Sequence, residues 1–453
     1  MKGRNALTRR SFLKLSVALG TGAVLSSCAA TPGTQGAQPG AVQVAETQPG
    51  PTAPALSEAT IRLSHFEGDL GQRNYSKIAE LIKNRYPQIT LSVEPTFDQA
   101  KFLVEVAAGT APDIPYVTEQ TIPVLAGKKA LLNLSPIAEA DGSFDVTQFH
   151  EKLVEYYSHE GSMYGLCRLY SPYVLWYNST MFDAKALPYP DDSWTFDSFL
   201  EASLKLAEDS DGDGKNDLWA YECQNWHNTW MSFVWGFGGS LFNEDETQFT
   251  LDQDPAAEAL QFVADLMYKL NVAPQLTLQE NKIITPFGFT TGKVAMVQNA
   301  RFVLPQYTQI TEFQFDIAPV PQGPAGRHTT LPTGGFAASA STKHPAETWE
   351  CIKFLCGPEA QAVYASTRQA MPSLKNFAAV ALDPTLPPKN DAMFIDAIEY
   401  AKPVHRCPHF SEASAPIYSA LELVWTGKES AKEAMTRAVP EANKILAELI
   451  AAG

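Results

Sequence analysis

Among 453 residues there are six cysteines, and none stands in a Cys-x-x-Cys or Cys/His zinc spacing. A structural zinc site of the usual kind is therefore excluded. No long apolar run is seen: the stretch from about Leu15 to Leu25 is roughly 11 residues, against the ~20 that a spanning helix needs. Neither G-x-S-x-G nor H-E-x-x-H occurs, and no nucleotide-binding motif is present. The familiar signatures of serine hydrolases, zinc proteases and NTPases are thus missing. Basic residues are in deficit, with 34 Lys and Arg against 50 Asp and Glu and a net charge of −16. Such a chain repels nucleic acid and anionic lipid, so no nucleic-acid partner is expected. Internal repeats are also lacking, which argues against an adhesion or scaffold protein built from repeated modules.

What is present begins at the N-terminus. Thr8-Arg9-Arg10-Ser11-Phe12-Leu13-Lys14 is a twin-arginine pattern, and a short apolar core follows it up to Leu25-Ser26-Ser27-Cys28. Twin-arginine signals are receptor-read export addresses, and an apolar core ending in small residues is a cleavage site. Cys28 just after that site resembles a bacterial lipobox, in which the Cys is acylated and becomes the first residue. Residues 1–27 are therefore read as a signal peptide. Residues 28–58, rich in Pro, Gly, Ala, Gln and Thr, are read as a lipidated flexible tether. The expected location is extracytoplasmic, lipid-anchored to the cell membrane. With Cys28 set aside, Cys167, Cys223, Cys351, Cys356 and Cys407 form an odd set, so at least one is free or pairs between chains.

The remaining roughly 395 residues predict two or three domains. Ile61, Leu63 and His65 alternate as in a strand, and Tyr75, Ile78, Leu81, Ile82 and Tyr86 recur at helical spacing before Pro87. Ile89, Leu91 and Val93 alternate again, and a helix from about Asp98 to Ala108 ends at Gly109. Strands alternating with helices predict an α/β fold with a mainly parallel sheet. Farther on, Pro345 opens a helix that Gly357-Pro358 closes. Ser430-Ala431-Lys432-Glu433 has capping-box spacing for a last helix, which Pro440 is expected to kink.

The stretch from Gly161 to Leu206 carries a resemblance. Tyr164-Gly165-Leu166, Leu175-Trp176-Tyr177-Asn178, Met181-Phe182 and Ser193-Trp194-Thr195-Phe196 follow one another there. Ala108-Gly109-Thr110-Ala111-Pro112-Asp113-Ile114 precedes them, and Gly292-Lys293-Val294-Ala295-Met296 and Ala318-Pro319-Val320-Pro321 with Gly334-Gly335-Phe336 come after. In this order they resemble the family 1 extracellular solute-binding proteins of ABC importers, the maltose and multiple-sugar group. Cys167 stands where that family usually has Pro. The resemblance implies a two-lobed periplasmic-binding-protein fold of type II, with three hinge crossings. These are placed near Cys167–Tyr173, Thr333–Phe336 and Met371–Lys375. Lobe I is then 59–169 plus 336–372, and lobe II is 172–333 plus 375–453. It further implies a monomeric receptor that binds a sugar or oligosaccharide and delivers it to permease subunits, with no enzymatic activity. A receptor for a polar non-sugar such as a glycerol phosphate, or a secreted glycosidase, are the alternatives. A glycosidase needs two carboxylates flanking the bond, and acidic residues are too abundant here to decide.

A sugar site needs aromatic platforms and a few fixed polar groups in a cleft. Trp226 and Trp230, set among Asn and His, are candidate platforms, whereas Phe233, Trp235 and Phe237 read as core. By position in the family pattern, Tyr116, Glu119, Arg301, Phe302, Gly335 and Phe410 join them, with Tyr170 and Ser171 at the first crossing. Phe302 takes the place of a cleft Trp. Glu67 and Asp69 follow the first strand, where carboxylates accept sugar hydroxyl hydrogens.

Residues Asp209 to Asp217 read DSDGDGKND. Asp209, Asp211, Asp213 and Asp217, with the Lys215 backbone, match the first nine positions of an EF-hand-type loop, and Gly214 allows its turn. Position 12 is Ala220 rather than Glu, so the loop closes only if Glu222 reaches back. Calcium in a structural role is the expected occupant.

Overall fold

The computed structural model describes residues 56–452, apart from 280–281 and 285–287. The signal peptide, Cys28 and most of the tether lie outside the described residues. In chain order, the strands used below are β1 (Ala59–Ser64), β2 (Ile89–Glu94), β3 (Ile114–Val117), β4 (Gly165–Tyr170), β5 (Tyr173–Asn178) and β6 (Trp219–Tyr221). They continue with β7 (Val294–Ala300), β8 (Phe315–Ala318), β9 (Thr329–Thr330), β10 (Thr333–Ala337), β11 (Met371–Pro372) and β12 (Ala401–Lys402). The helices used are α1 (Gly68–Arg85), α2 (Gln99–Ala108), α3 (Thr121–Gly127), α4 (Phe196–Leu206), α5 (His227–Gly236), α6 (Pro345–Cys356) and α7 (Ala431–Ala452).

Local signals set the helix ends. Asp98 accepts from the Lys101 N–H at 2.7 Å and starts α2, and Gly109 ends it with φ 68°. Thr195 caps α4 by accepting from Ser198 N–H at 3.2 Å. Asn178, the last residue of the Leu-Trp-Tyr-Asn stretch, caps the next short helix through Met181 N–H at 3.2 Å. Ser430 and Glu433 form the expected box, and α7 continues through Pro440 as one helix.

Each lobe is built on one larger sheet, with three two-stranded sheets besides among the described residues. The first of the larger sheets has the order β11-β4-β10-β3-β1-β2 and the second β8-β5-β7-β6. Both are mixed rather than mainly parallel. In the first, β1 runs parallel to β2 and β3, but β10 is antiparallel to β3 and β4, and β11 is antiparallel to β4. In the second, β5 is antiparallel to β7 and β8, and only the β7–β6 pair is parallel. The passages between lobes give the reason. The chain leaves the first sheet at Tyr170 and re-enters it at Thr333, which pairs with Tyr170. Two neighbouring strands whose open ends meet at the same crossing must run in opposite directions.

The first passage is Ser171-Pro172, between β4 and β5. The second is Leu331-Pro332, one step before the expected Thr333–Phe336, because β10 belongs wholly to the first sheet. Gly334 and Gly335 are therefore strand residues, not a hinge. A Cβ at Gly334 would lie 2.0 Å from the Tyr116 hydroxyl, and one at Gly335 would lie 2.2 Å from the Leu166 carbonyl. Close approach, not backbone freedom, demands glycine there. The third passage lies beyond the expected Met371–Lys375. Leu374 still bridges Phe149 of the first lobe, whereas Asn390 donates to Asp316 and Ile317 of the second.

Apolar side chains bury beneath each sheet, with Ile61, Ile78, Trp349 and Leu355 in one lobe and Phe199, Phe233, Leu260 and Leu421 in the other. A third cluster, including Tyr170, Val174, Trp176 and Met371, packs around the crossings and joins the two. Cys167, Cys223, Cys351, Cys356 and Cys407 are all buried and unpaired. Burial pushes each thiol above its ordinary value, which keeps it out of the reactive thiolate form.

Candidate functional site

The crossings leave a groove between the lobes with two chambers. The larger has a volume of about 500 Å³. Glu67 and Tyr116, at the ends of β1 and β3, line it from the first lobe, and Tyr170, Ser171 and Phe302 line it at the crossings. The smaller, about 290 Å³, sets Gln120, Thr121 and Lys128 of the first lobe against His227, His405 and Phe410 of the second. Trp226 stands between the two. Its ring centroid lies 6.4 Å from Phe302 of the larger chamber and 6.3 Å from His227 of the smaller. Trp226 is 43% exposed and Phe302 36%, so both offer ring faces to a solute. Phe66, 57% exposed, adds a third, edge-on to Tyr116 at 4.7 Å.

Polar groups around these rings are held in place. Arg168 donates to Glu67 Oε1, and the Tyr75 hydroxyl donates to Glu67 Oε2. The Glu67 backbone N–H in turn donates to His65 Nδ1 at 3.2 Å. Burial, the largest single influence, opposes the Arg168 charge, but Glu67 together with Tyr75, Tyr116 and Tyr364 outweighs it, and the guanidinium stays above its ordinary value. Ser171 Oγ accepts from the Arg301 N–H at 2.9 Å. In the smaller chamber His405 stacks on Phe410 with ring centroids 3.7 Å apart, and His227 Nδ1 meets the Tyr418 hydroxyl at 2.5 Å. Burial lowers His227 to about 4 and His405 to about 3, so both imidazoles are neutral near pH 7.

Five of the residues expected in the site lie elsewhere. Asp69 is exposed on the first turn of α1 and lines neither chamber. Glu119 is 4% exposed and turned behind the wall, where its carboxylate accepts from Thr333 N–H at 2.9 Å and Thr333 Oγ1 at 2.6 Å. Burial pushes its carboxyl up to about 7. Trp230, one helical turn after Trp226, faces inward and is 2% exposed in the second-lobe core. Arg301 neighbours Phe302 in sequence but points the opposite way and is fully buried. Its guanidinium donates to Asp391 through Nε at 2.9 Å and Nη2 at 2.6 Å, and to the carbonyls of Ala370 and Ala381. Gly335 is covered by Leu166 and Tyr157, and Gly334 lines the chamber instead.

The groove also draws on Phe66, Gln120, Thr121, His227 and His405, which the spacing of motifs did not single out as its wall. Phe66, Gln120 and His227 each adjoin a residue that was singled out, yet only packing of the lobes brings these side chains together.

The acidic loop forms away from the groove. One carboxylate oxygen from each of Asp209, Asp211 and Asp213 lies within 4.8 Å of the others, a set that fits a hard cation. Asp217 and Glu222 do not join it. Asp217 accepts from Ser210 N–H at 2.8 Å and Oγ at 2.7 Å. Lys215 donates its backbone N–H to Asp213 at 2.8 Å. Glu222 does not reach back: it is buried and accepts from Phe289 N–H at 2.6 Å and Gln224 at 2.7 Å.

A groove bounded by two α/β lobes, with the chain passing between them and glycine-tight strands at the crossings, is the architecture of the two-lobed solute-binding proteins. The chain belongs to the bacterial extracellular solute-binding protein family, whose profile matches residues 69–362. It is similar to a galactooligosaccharide-binding protein of Bacillus subtilis (strain 168), with 21% identity over 345 residues, 74% of this chain and 77% of that one. Among solved structures, an ABC substrate-binding protein of Listeria monocytogenes in complex with cycloalternan superposes with a TM-score of 0.74. It is 21% identical and covers 86% of this chain and 99% of its own. UgpB from Mycobacterium tuberculosis in complex with glycerophosphocholine has a TM-score of 0.71 and 17% identity, covering 86% of this chain and 99% of its own. Among the described residues no helix is long and apolar enough to cross a membrane.

Proposed function

We propose that this chain is the substrate-binding lipoprotein of an ABC importer that captures a carbohydrate in the groove between its lobes. The observation that carries the reading is Trp226 standing between two chambers, with Phe302 and Phe66 on one side and a neutral imidazole pair on the other. Sugar rings stack their apolar faces on such platforms, and fixed polar groups hold their hydroxyls. Two chambers with an exposed indole between them suit an oligosaccharide better than a single ring. Both named sugar-binding relatives, one for galactooligosaccharides and one seen with cycloalternan, support this class. The solute is bound and released unmodified. Its binding favours the closed arrangement of the lobes, which then dock on permease subunits.

The twin-arginine leader sends the chain out of the cytoplasm, and acylated Cys28 holds it at the cell membrane as a monomer. The tether keeps the receptor at high effective concentration beside its permease. Calcium on Asp209, Asp211 and Asp213 is a separate proposal, with a structural role for the loop. Isothermal calorimetry of the full chain against maltotriose, galactobiose and raffinose tests the central reading. Micromolar binding of at least one, recovered unmodified, is expected. Hydrolysis of the sugar, or heat from none of them, overturns it.

A further inference from the structure

Glu67 and Arg168 are the two charged side chains on the wall of the larger chamber. They sit at different depths: the Glu67 side chain is 16% exposed and the Arg168 side chain 3%. The guanidinium cannot turn away. It is packed against the rings of Tyr364, Tyr75, Tyr116 and Phe336, with its central carbon 4.5 Å, 5.4 Å, 5.6 Å and 5.8 Å from their centroids. Its Nε has no hydrogen-bond partner, so the cation holds donor capacity in reserve beneath the carboxylate. Both Glu67 oxygens are occupied, one by Arg168 and one by Tyr75, which pins the acid over the base. In the smaller chamber Lys128 and Glu412 both line the wall and the two histidines are neutral. Each chamber therefore carries one positive and one negative side chain, in a chain whose net charge is −16.

We propose that the Glu67–Arg168 pair is a charge filter: it cancels the charge of the wall so that the groove takes a neutral solute and rejects one bearing a phosphate or carboxylate. The inference rests on reading the groove as the solute site. Its physics is that of an unmatched charge. An anionic group entering the chamber meets the Glu67 carboxylate first, in surroundings where like charges interact more strongly than in water. The cation that would favour the anion lies behind and is already matched. Glu67→Gln removes the outer negative charge while its amide oxygen still accepts from Arg168. The wall then presents an uncancelled guanidinium, which favours anions.

The test uses the full chain and calorimetry with four probes, maltotriose and galactobiose as neutral sugars and maltose 1-phosphate and digalacturonate as anionic ones. The parent is expected to bind a neutral probe at least tenfold more tightly than its anionic counterpart. Glu67→Gln is expected to strengthen binding of an anionic probe by tenfold or more, in a salt-dependent way. Glu67→Asp, which keeps the charge, is expected to keep the parent's preference. A parent that binds anionic and neutral probes equally, or a Glu67→Gln protein whose preference is unchanged, overturns the filter alone. A parent that binds none of the four overturns the carbohydrate reading and the filter with it.

Discussion

Replacing Glu119 by Gln should stabilise the protein at alkaline pH and leave it nearly unchanged at pH 5. Glu119 is 4% exposed, and burial, the largest influence on it, pushes its carboxyl from an ordinary 4.5 up to about 7. Between these values the folded chain holds a proton that the unfolded chain has released. The stability tied to that proton is complete below pH 4.5 and is lost as pH rises through 7. At 1.36 kcal/mol per tenfold, the loss amounts to about 3 kcal/mol. Gln is neutral at every pH, and its amide oxygen can still accept from Thr333 N–H. Urea unfolding of parent and variant, side by side at pH 5 and pH 8.5, reads the effect. The two should agree to within about 1 kcal/mol at pH 5, and the variant should be the more stable by about 3 kcal/mol at pH 8.5. His227 and His405, held low by burial, lose stability on acidification in both proteins equally, so the comparison cancels them. A difference that is the same at both pH values, or a variant less stable at pH 8.5, would refute the reasoning. The position matters because Thr333, the partner of Glu119, opens β10 directly after the second passage between lobes.

Asp391 is the counter-charge of fully buried Arg301 and of Arg368, so Asp391→Ala should cost about 3–5 kcal/mol in urea unfolding; a loss under 1 kcal/mol would mean the two arginines find other partners. Trp226→Ala should weaken sugar binding roughly tenfold by calorimetry with little change in stability. Trp230→Ala should do the reverse, costing about 3–5 kcal/mol of stability; equal effects of the two on binding would mean that the groove is misplaced. If Asp209, Asp211 and Asp213 hold calcium, chelation should lower the thermal midpoint and millimolar calcium restore it, and Asp209→Asn should abolish the response. An unmoved midpoint removes the metal.

Helix ends were legible because their signals are local: Asp98 and Gly109, Pro345 and Gly357, and Ser430 with Glu433 each act within a turn or two of chain. Strand ends were nearly as legible, and with them Glu67, which follows the first strand; Tyr116, Ser171 and Phe302 came from the family resemblance, and all four line the larger chamber. Side-chain direction was not. Trp226 and Trp230 share one segment, yet one turn of α5 carries the second into the core. Arg301 and Phe302 are adjacent, and the arginine turns inward because Asp391, 90 residues away in sequence, waits there. The antiparallel ladders escaped for the same reason: alternation marks a strand but not where the chain re-enters its sheet. Similarly, the loop at Asp209 has the spacing of a calcium site, but Ser210 takes Asp217 and Phe289 takes Glu222.

Seven of the eight tryptophans are at most 9% exposed, and Trp226 alone is turned outward at the junction of the two chambers. The molecule thus carries a single-address optical probe of its own occupancy. Emission from the seven interior indoles forms a constant background, and a water-soluble quencher such as iodide reaches only the eighth. A solute lying across the junction would shield that indole, so protection from quenching measures filling of the groove without any label. The same reading, taken sugar by sugar, would separate solutes that reach the junction from those that occupy one chamber and leave Trp226 in water.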